Sequence, residues 1–206
     1  MCRRIGFIFE CGPKGPDEMV CRRLVEILDC GVYVAARTLN NKKQLIEDCG
    51  KTARLLLEDC EKVIVVWDLH PPWRNTAPCL KEDREKIFAA MGEAGVDPER
   101  VALVCIHEEL EAWLVADDRA LTEFIRRQKH PHPVGRVPKT WRKNPDRVAK
   151  PKTKLTQLFQ KEIGGRRRYI DYQDAGPIAA LIHDTNRLRR SPSFVRFEKK
   201  VCGTDD

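Results

Sequence analysis

The sequence predicts an α/β fold in which a four-stranded, mainly parallel sheet is flanked by helices and followed by a C-terminal helical extension. Three observations support this fold class. Short apolar segments alternate with segments of helical periodicity through residue 116. The strand segments are almost continuously apolar, which is typical of parallel strands covered on both faces. A helical segment separates each strand from the next, as right-handed crossovers between parallel strands require.

The apolar runs predict strands over residues 4–10, 32–36, 62–68 and 100–107. Three helices are predicted between these strands. The first opens at Asp17, where apolar residues begin to recur at helical spacing. The second is capped by Asn40 and is broken or kinked at Gly50, and the third covers residues 80–95.

The second half of the chain changes character. Residues 108–128 have a helical pattern that indicates two short helices meeting at Asp117, which is suited to cap the second of them. Residues 129–152 are rich in proline, histidine and basic residues, which predicts a loop or flexible insert. Short helices are predicted over residues 154–163, 176–188 and 193–200. The predicted organisation is therefore an α/β domain, a basic loop or insert and a helical extension packed on the same domain, over residues 1–125, 126–152 and 153–206.

Composition and charge restrict the function classes. The chain has 206 residues, 42% of them hydrophobic and 33% charged, which excludes a disordered or fibrous protein. Its 38 Lys and Arg against 31 Asp and Glu give a formal net charge of +7. Such an excess favours an anionic partner, most often nucleic acid. No apolar run reaches the roughly 20 residues of a membrane span, so no membrane association is expected.

The cysteines indicate a reducing compartment. There are nine, an odd number, and no two of them form a C-x-x-C pair. Arg3 and Arg4 are followed by only five residues of apolar type, too few for a signal peptide. We therefore expect reduced thiols, mostly in the core of a cytoplasmic protein, rather than disulfides or a zinc site.

Acidic residues follow three of the predicted strands. Glu10 and Asp68 end the first and third strands, and Glu108 and Glu109 follow the fourth. The carboxyl ends of parallel strands lie at one edge of a sheet, where ligands bind. Clustered carboxylates suit Mg²⁺ or Mn²⁺, whereas separate carboxylates would simply be solvated. The sequence leaves both readings open and predicts that Glu10 and Asp68 converge.

Several motifs resemble known proteins. Phe9-Glu10-Cys-Gly-Pro and Val-Val-Trp-Asp68-Leu-His70 resemble the Toprim domain, the metal-binding α/β module of topoisomerases, bacterial primases and related nucleases. Residues 106–117, which contain Glu-Leu-Glu-Ala-Trp-Leu-Val-Ala-Asp, and the later Ser191-Pro-Ser-Phe resemble a bacterial Toprim-like branch with the pattern E-x-E-A-W-L-x-A-D. That branch is related to nucleases of the overcoming-lysogenization-defect type, and the resemblance covers most of the chain.

The resemblance implies roles for individual residues. Glu10 would be a general base or would position the metal, and Asp68 would ligate it. His70 occupies the place of the second aspartate in the Asp-x-Asp of Toprim domains, and imidazole suits Mn²⁺ better than Mg²⁺. The candidates for a further acidic ligand group are Glu108, Glu109 and Glu111.

The function implied is a metal-dependent phosphodiesterase or nuclease acting on DNA or RNA. By the same resemblance it would act with a partner ATPase in bacterial anti-phage defence. The alternative is a non-catalytic Toprim-like module that binds nucleic acid or a protein partner through a degenerate metal site, which His70 favours. A small-molecule phosphotransfer enzyme is disfavoured by the concentration of basic residues.

Two further regions are candidates for anion binding. Lys14 lies in a Gly-Pro-rich loop before a helix, where phosphate could bind, although an ordinary turn explains the loop equally well. Residues 126–152 hold ten Lys and Arg against one acid, Asp146, and include a tryptophan that could stack on a base. The alternative is a solvated loop. The predicted nucleic-acid contacts are Arg136, Lys139, Trp141, Arg142, Lys143 and Arg147.

Overall fold

The computed structural model of the chain describes residues 3–72, 77–129, 135 and 137–204. Its strands are β1 (Arg3–Phe9), β2 (Val32–Thr38), β3 (Lys62–Asp68) and β4 (Val101–Ile106). Its first α-helices are α1 (Pro16–Leu28), α2 (Lys42–Leu56), α3 (Leu80–Glu93), α4 (Glu111–Ala116) and α5 (Asp118–Lys129). The later ones are α6 (Lys139–Lys143), α7 (Pro151–Glu162), α8 (Asp171–Ala180) and α9 (Pro192–Cys202).

The four strands form one parallel sheet in the order β2-β1-β3-β4. In its register Phe9 lies opposite Val66, and Asp68 lies opposite Ile106. The carboxyl ends of β1, β3 and β4 therefore meet at one edge of the sheet. The predicted fold class, an α/β sheet flanked by helices with further helices at the C-terminus, is confirmed and is consistent with a Toprim-like fold.

The side chains of the sheet divide between two hydrophobic clusters, because successive residues of a strand point to opposite faces. Phe7 and Phe9 of β1 face the cluster that contains α1, α4, α5 and the C-terminal helices. Ile8 and Trp67 face the cluster formed with α2 and α3. The sheet is thus covered on both sides, which explains why its strands are apolar throughout.

Helix α2 begins and packs differently from the sequence prediction. Its cap is Asn41, whose side chain accepts a hydrogen bond from Gln44 N at 3.0 Å, and not Asn40. Gly50 neither breaks nor ends this helix. A Cβ atom there would lie 2.0 Å from the carbonyl oxygen of Ala90, so glycine allows α2 and α3 to pack in backbone contact.

Residues 139–147, predicted as part of a loop, are ordered around a buried acid. They form α6 and a 3₁₀ turn over Pro145–Arg147. Asp146 is buried, and its Oδ2 accepts a hydrogen bond from Ser193 N at 2.8 Å, while its Oδ1 accepts one from Ser193 Oγ at 2.9 Å. The loop prediction was wrong for this stretch because a composition rich in basic residues concealed the single anchoring aspartate.

The expectation that the cysteines are reduced is wrong for one pair. Cys30, which follows α1, and Cys202, the last residue of α9, form a disulfide bond across 172 residues of sequence. Their Cα atoms lie 5.4 Å apart, a proximity that arises only when α9 packs on the sheet. Of the other described cysteines, most are buried or half-buried free thiols and Cys79 is exposed. Within the described ranges no helix has the length and apolar character needed to cross a membrane.

Candidate metal and phosphate site

A cavity of about 610 Å³ opens at the carboxyl edge of the sheet, and we call it the strand-end cavity. Glu10 follows β1 and Asp68 ends β3, and both line it because the two strands are adjacent and parallel. Asp17, in the first turn of α1, contributes a third buried carboxylate. The charged residues among its described lining are Glu10, Asp17, Asp68, Asp171, Lys14, Lys42, Lys43 and Lys152.

The carboxyl group of Glu10 is buried against other acids. Burial raises its pKa to about 8, and the Asp17 carboxylate adds to the shift. The ammonium group of Lys42 and the backbone N–H of Asp68 act in the opposite direction. Glu10 Oε2 is buried and has no hydrogen-bond partner among the described residues. This oxygen is therefore free to bind a cation.

The carboxyl groups of Asp68 and Asp17 also have raised pKa values. Burial raises the pKa of Asp68 well above its usual range, and the charges of Asp17 and Glu10 raise it further. Asp68 Oδ1 is buried without a hydrogen-bond partner in the described part of the chain. Burial raises the pKa of Asp17 to about 6, although the Cys11 thiol and the Lys152 ammonium group lower it. A positive charge in the cavity would relieve the repulsion among all three.

Glu111 lies behind these carboxylates, at the start of α4. It is buried, and Tyr169 donates a hydrogen bond from its hydroxyl to Glu111 Oε1 at 3.0 Å. Lys152 Nζ lies 4.0 Å from the same oxygen and donates a hydrogen bond to Asp171 Oδ2 at 2.8 Å. Burial raises the pKa of Glu111 to about 7, while Lys152 lowers it. Burial alone would lower the pKa of Lys152, but the Glu111 and Asp171 carboxylates raise it, so this lysine is charged.

Lys42 brings a second positive charge from the opposite face of the sheet. Its buried ammonium group donates hydrogen bonds to the carbonyl oxygens of Leu69 at 2.9 Å and Pro71 at 2.8 Å. It also lies 3.6 Å from Asp83 Oδ2, which accepts a hydrogen bond from Trp67 Nε1 at 3.2 Å. Lys42 therefore fixes the segment that follows Asp68 and supplies charge to the cavity.

Four of the sequence-predicted metal ligands are not among the described residues that line the cavity: His70, Glu108, Glu109 and Glu111. The backbone N–H of His70 donates to the carbonyl oxygen of Glu108 at 3.1 Å. Glu108 Oε2 accepts a hydrogen bond from Lys150 N at 3.4 Å, and Glu109 Oε2 accepts one from Lys152 N at 3.0 Å. The carboxylates of both glutamates thus hold the start of α7, which carries Lys152.

The candidate phosphate ligand Lys14 lines the cavity and is exposed. Its φ angle of 56° places it in the left-handed region, and its backbone N–H donates to Glu18 Oε2 at 3.3 Å. The Gly-Pro-rich loop therefore folds back onto the first turn of α1. In this conformation the loop lines the cavity.

The predicted nucleic-acid contacts fall into distinct groups. Lys139, Lys143 and Arg147 are exposed. Arg142 Nη1 donates a hydrogen bond to Asp118 Oδ2 at 2.6 Å, so this guanidinium is engaged within the protein. The half-buried Trp141 packs against the core and, with Arg147, lines a second cavity of about 340 Å³. Arg136 lies outside the described residues.

The carboxylates fit a hard divalent ion. Among the described residues no group of three His, Cys, Asp or Glu side chains is close enough to bind one ion directly. Mg²⁺, however, usually keeps several waters and binds one or two carboxylates together with substrate phosphate. Glu10 and Asp68 offer two free, buried oxygens for this, and Asp17 adds negative charge beside them. The donor set therefore fits Mg²⁺ or Mn²⁺ with water completing the coordination.

Five charged lining residues were not predicted as site residues from the sequence: Asp17, Lys42, Lys43, Lys152 and Asp171. The sequence indicates Asp17 only as a helix start, although its place in the first helical turn after a strand-end loop could have signalled a site. Lys152 and Asp171 come from the C-terminal helices and reach the cavity only through tertiary packing. No spacing in the sequence connects them with Glu10.

Comparisons with known proteins give a family and one distant structural likeness. The family described as "Domain of unknown function (DUF4276)" matches residues 16–201. No curated protein sequence matches the chain. Among solved structures the chain is similar to the C-terminal region of the OLD protein of Xanthomonas campestris pv. campestris. The sequence identity is 13% over 98% of this chain and 95% of that chain, with a TM-score of 0.46. A likeness this distant bears on neither the chemistry nor the substrate of this chain.

Proposed function

The chain belongs to the DUF4276 family, and we propose that it is a divalent-metal-dependent phosphodiesterase that acts on nucleic acid. One observation carries the proposal. Glu10 Oε2 and Asp68 Oδ1 are buried in the strand-end cavity with no hydrogen-bond partner among the described residues. Buried polar oxygens are costly unless they are satisfied. A divalent ion would satisfy both oxygens and balance the repulsion from Asp17.

In this proposal Glu10 and Asp68 hold the ion, with Asp17 as a third negative group. Such an ion supplies stabilisation of the charge that develops on phosphate oxygens. The lysines of the cavity bind the same phosphate from the protein side. Lys152 is held in place by Asp171, and Lys42 is held by two carbonyl oxygens. Both ammonium groups are therefore positioned before substrate binds, which is the condition for strong electrostatic stabilisation.

Nucleic acid is the proposed substrate because the exposed cations lie outside the cavity as well as inside it. Lys139, Lys143 and Arg147 are exposed on and after α6. Lys14 and Lys43 are exposed at the cavity itself. A small phosphorylated metabolite would need only the inner lysines, whereas a polymer uses cations along its backbone. We leave Arg142 out of this surface because Asp118 engages it.

The proposal is tested with labelled single-stranded DNA, RNA and duplexes incubated in Mg²⁺, Mn²⁺ or EDTA. We expect cleavage that needs the metal and is lost in Glu10→Gln and Asp68→Asn. The matched control is Glu58→Gln, which changes an exposed glutamate.

The second measurement is thermal unfolding with and without Mn²⁺, since an ion that binds only the native state raises the Tm. A Tm rise that persists in both site variants would contradict the proposed ligands.

A non-catalytic binding module is the second candidate, and the ligand geometry favours it. Within the described ranges no three ligand side chains converge on one point, and His70 stands where Toprim domains have an aspartate. In that case the lysines of the cavity would bind phosphate without turnover. The wild-type protein would then bind oligonucleotides but leave them intact in both metals. The sequence resemblance alone supports a partner ATPase and a role in anti-phage defence. On that basis we propose both, together with either of the two functions.

A further inference from the structure

Tyr172 is an exposed aromatic residue on the strand-end cavity. Its side chain is 64% exposed, and it is the second residue of α8. The residue before it, Asp171, holds Lys152 through the hydrogen bond at 2.8 Å. Tyr169, three residues earlier, is buried with its hydroxyl on Glu111. One short segment therefore supplies a tyrosine that supports the site from behind and another that faces solvent at its edge.

The cavity is graded in polarity from its interior to its rim. Its interior holds the carboxyl groups of Glu10 and Asp68, each with one buried oxygen, and the buried ammonium group of Lys42. Its exposed rim includes Pro13 and Tyr172, which present rigid apolar surface. A nucleotide has the same division, since its phosphate is charged and its base is flat and largely apolar on both faces. A phosphate bound among the lysines would leave the attached base near the rim.

We propose that Tyr172 is a stacking platform for an unpaired nucleobase next to the phosphate held in the strand-end cavity. The substrate class is then single-stranded or locally unpaired nucleic acid. In a duplex the two faces of each base are covered by neighbouring bases, so only an unpaired base can lie on the tyrosine ring. This inference deepens the proposed function and rests on it.

Affinities of short oligonucleotides measured in EDTA test the inference without turnover. The variants are Tyr172→Ala, Tyr172→Phe and, as a matched control, Tyr33→Ala, which removes a tyrosine that is 60% exposed on β2. Tyr172→Ala should weaken single-strand binding by about 5- to 150-fold, the range for loss of one base–aromatic stack. Tyr172→Phe and Tyr33→Ala should bind as the wild type does. An oligonucleotide of abasic sites should bind Tyr172→Ala and the wild type equally.

Two results would overturn the stacking role: an unchanged affinity in Tyr172→Ala, or an equal loss of affinity for single strands and duplexes. The proposed function is tested by a different measurement, the metal-dependent cleavage by the wild type and by Glu10→Gln. Its failure can therefore be distinguished from failure of the stacking role. A wild type that binds no oligonucleotide at all would overturn both proposals. A wild type that binds but does not cleave would leave Tyr172 as the base platform of a binding module.

Discussion

Trp113 Nε1 donates a hydrogen bond to Ser193 Oγ at 2.8 Å, joining α4 to α9 across 80 residues of sequence. Both groups are fully buried, and the Trp113 ring packs against Phe194 at a centroid distance of 5.6 Å. Asp146 completes the network by accepting hydrogen bonds from Ser191 and Ser193. The Glu-Ala-Trp-Leu and Ser-Pro-Ser-Phe motifs therefore meet in the core through Trp113 and Ser193, where they secure the C-terminal helices.

This network predicts a stability defect from a very small change. Ser193→Ala removes the acceptor of Trp113 Nε1 and one donor to Asp146, leaving buried polar groups unsatisfied. We expect the free energy of unfolding to fall by about 1–3 kcal/mol for this variant. Urea denaturation would measure the loss, with Thr140→Ala at an exposed position as control. A loss no greater than that of the control would show that the network does not stabilise the fold.

The buried acids predict that stability in EDTA falls as the pH rises. Glu10 has an ordinary pKa of 4.5 and a folded pKa of about 8, so between these values the native state holds a proton that the unfolded chain has lost. Its contribution to stability is complete below about pH 4.5 and is lost as the pH rises through 8. Asp17 and Glu111, with pKa values raised to about 6 and 7, act in the same direction.

Glu10→Gln removes the part of this dependence that comes from Glu10, since an amide does not titrate. The variant should have a higher Tm than the wild type at pH 8, and the difference should shrink towards pH 5. Mn²⁺ should raise the wild-type Tm most at pH 8, where the carboxylates are charged. Calorimetry at the two pH values would measure both effects. A wild type that becomes more stable with rising pH in EDTA would contradict the burial of these acids.

Lys152 is predicted to support turnover more than folding. Its ammonium group is charged and fixed by Asp171, so Lys152→Ala should lower kcat by about 100-fold or more, the cost of one preorganised donor. Lys152→Arg keeps the charge and should retain more of the activity. Lys161→Ala, in the last turn of the same helix, is the control. Equal kcat values at saturating substrate for Lys152→Ala and Lys161→Ala would exclude the role given to Lys152.

The exposed cations of α6 and the turn after it are predicted to set the salt dependence of binding. Replacing Lys139, Lys143 and Arg147 together by alanine removes up to three phosphate contacts. The slope of log K against log salt should flatten by about 2–3 units, because fewer counterions are released. A control triple variant on the α2 and α3 surface replaces Lys51, Arg54 and Lys81. Parallel salt titrations of the two variants would reveal whether nucleic acid lies along α6.

The sequence predicted the parts of the strand-end cavity that follow from strand order. Glu10 and Asp68 could be found because the ends of adjacent parallel strands share an edge, whatever the rest of the chain does. Asp171 and Tyr172 could not be found, since they reach this edge only after α8 packs beside α1. For Arg142 the sequence predicted a nucleic-acid contact, but the structure pairs its guanidinium group with Asp118. A run of basic residues does not reveal which of its side chains form ion pairs within the protein.

The strand-end cavity takes its charges from both layers that cover the sheet. Lys42 comes from α2 on one face, whereas Lys152 and Asp171 come from helices on the other. The principal acids, Glu10, Asp17 and Asp68, all precede residue 112. A nascent chain thus carries these acids, together with Lys14, Lys42 and Lys43, long before Lys152 and Asp171 are synthesised. A chain that ended near residue 150 would also lack Phe159, Phe194 and Phe197, which belong to the hydrophobic cluster that covers one face of the sheet. Completion of the cavity therefore depends on synthesis of the C-terminal helices, which supply both its last charges and the packing that supports it.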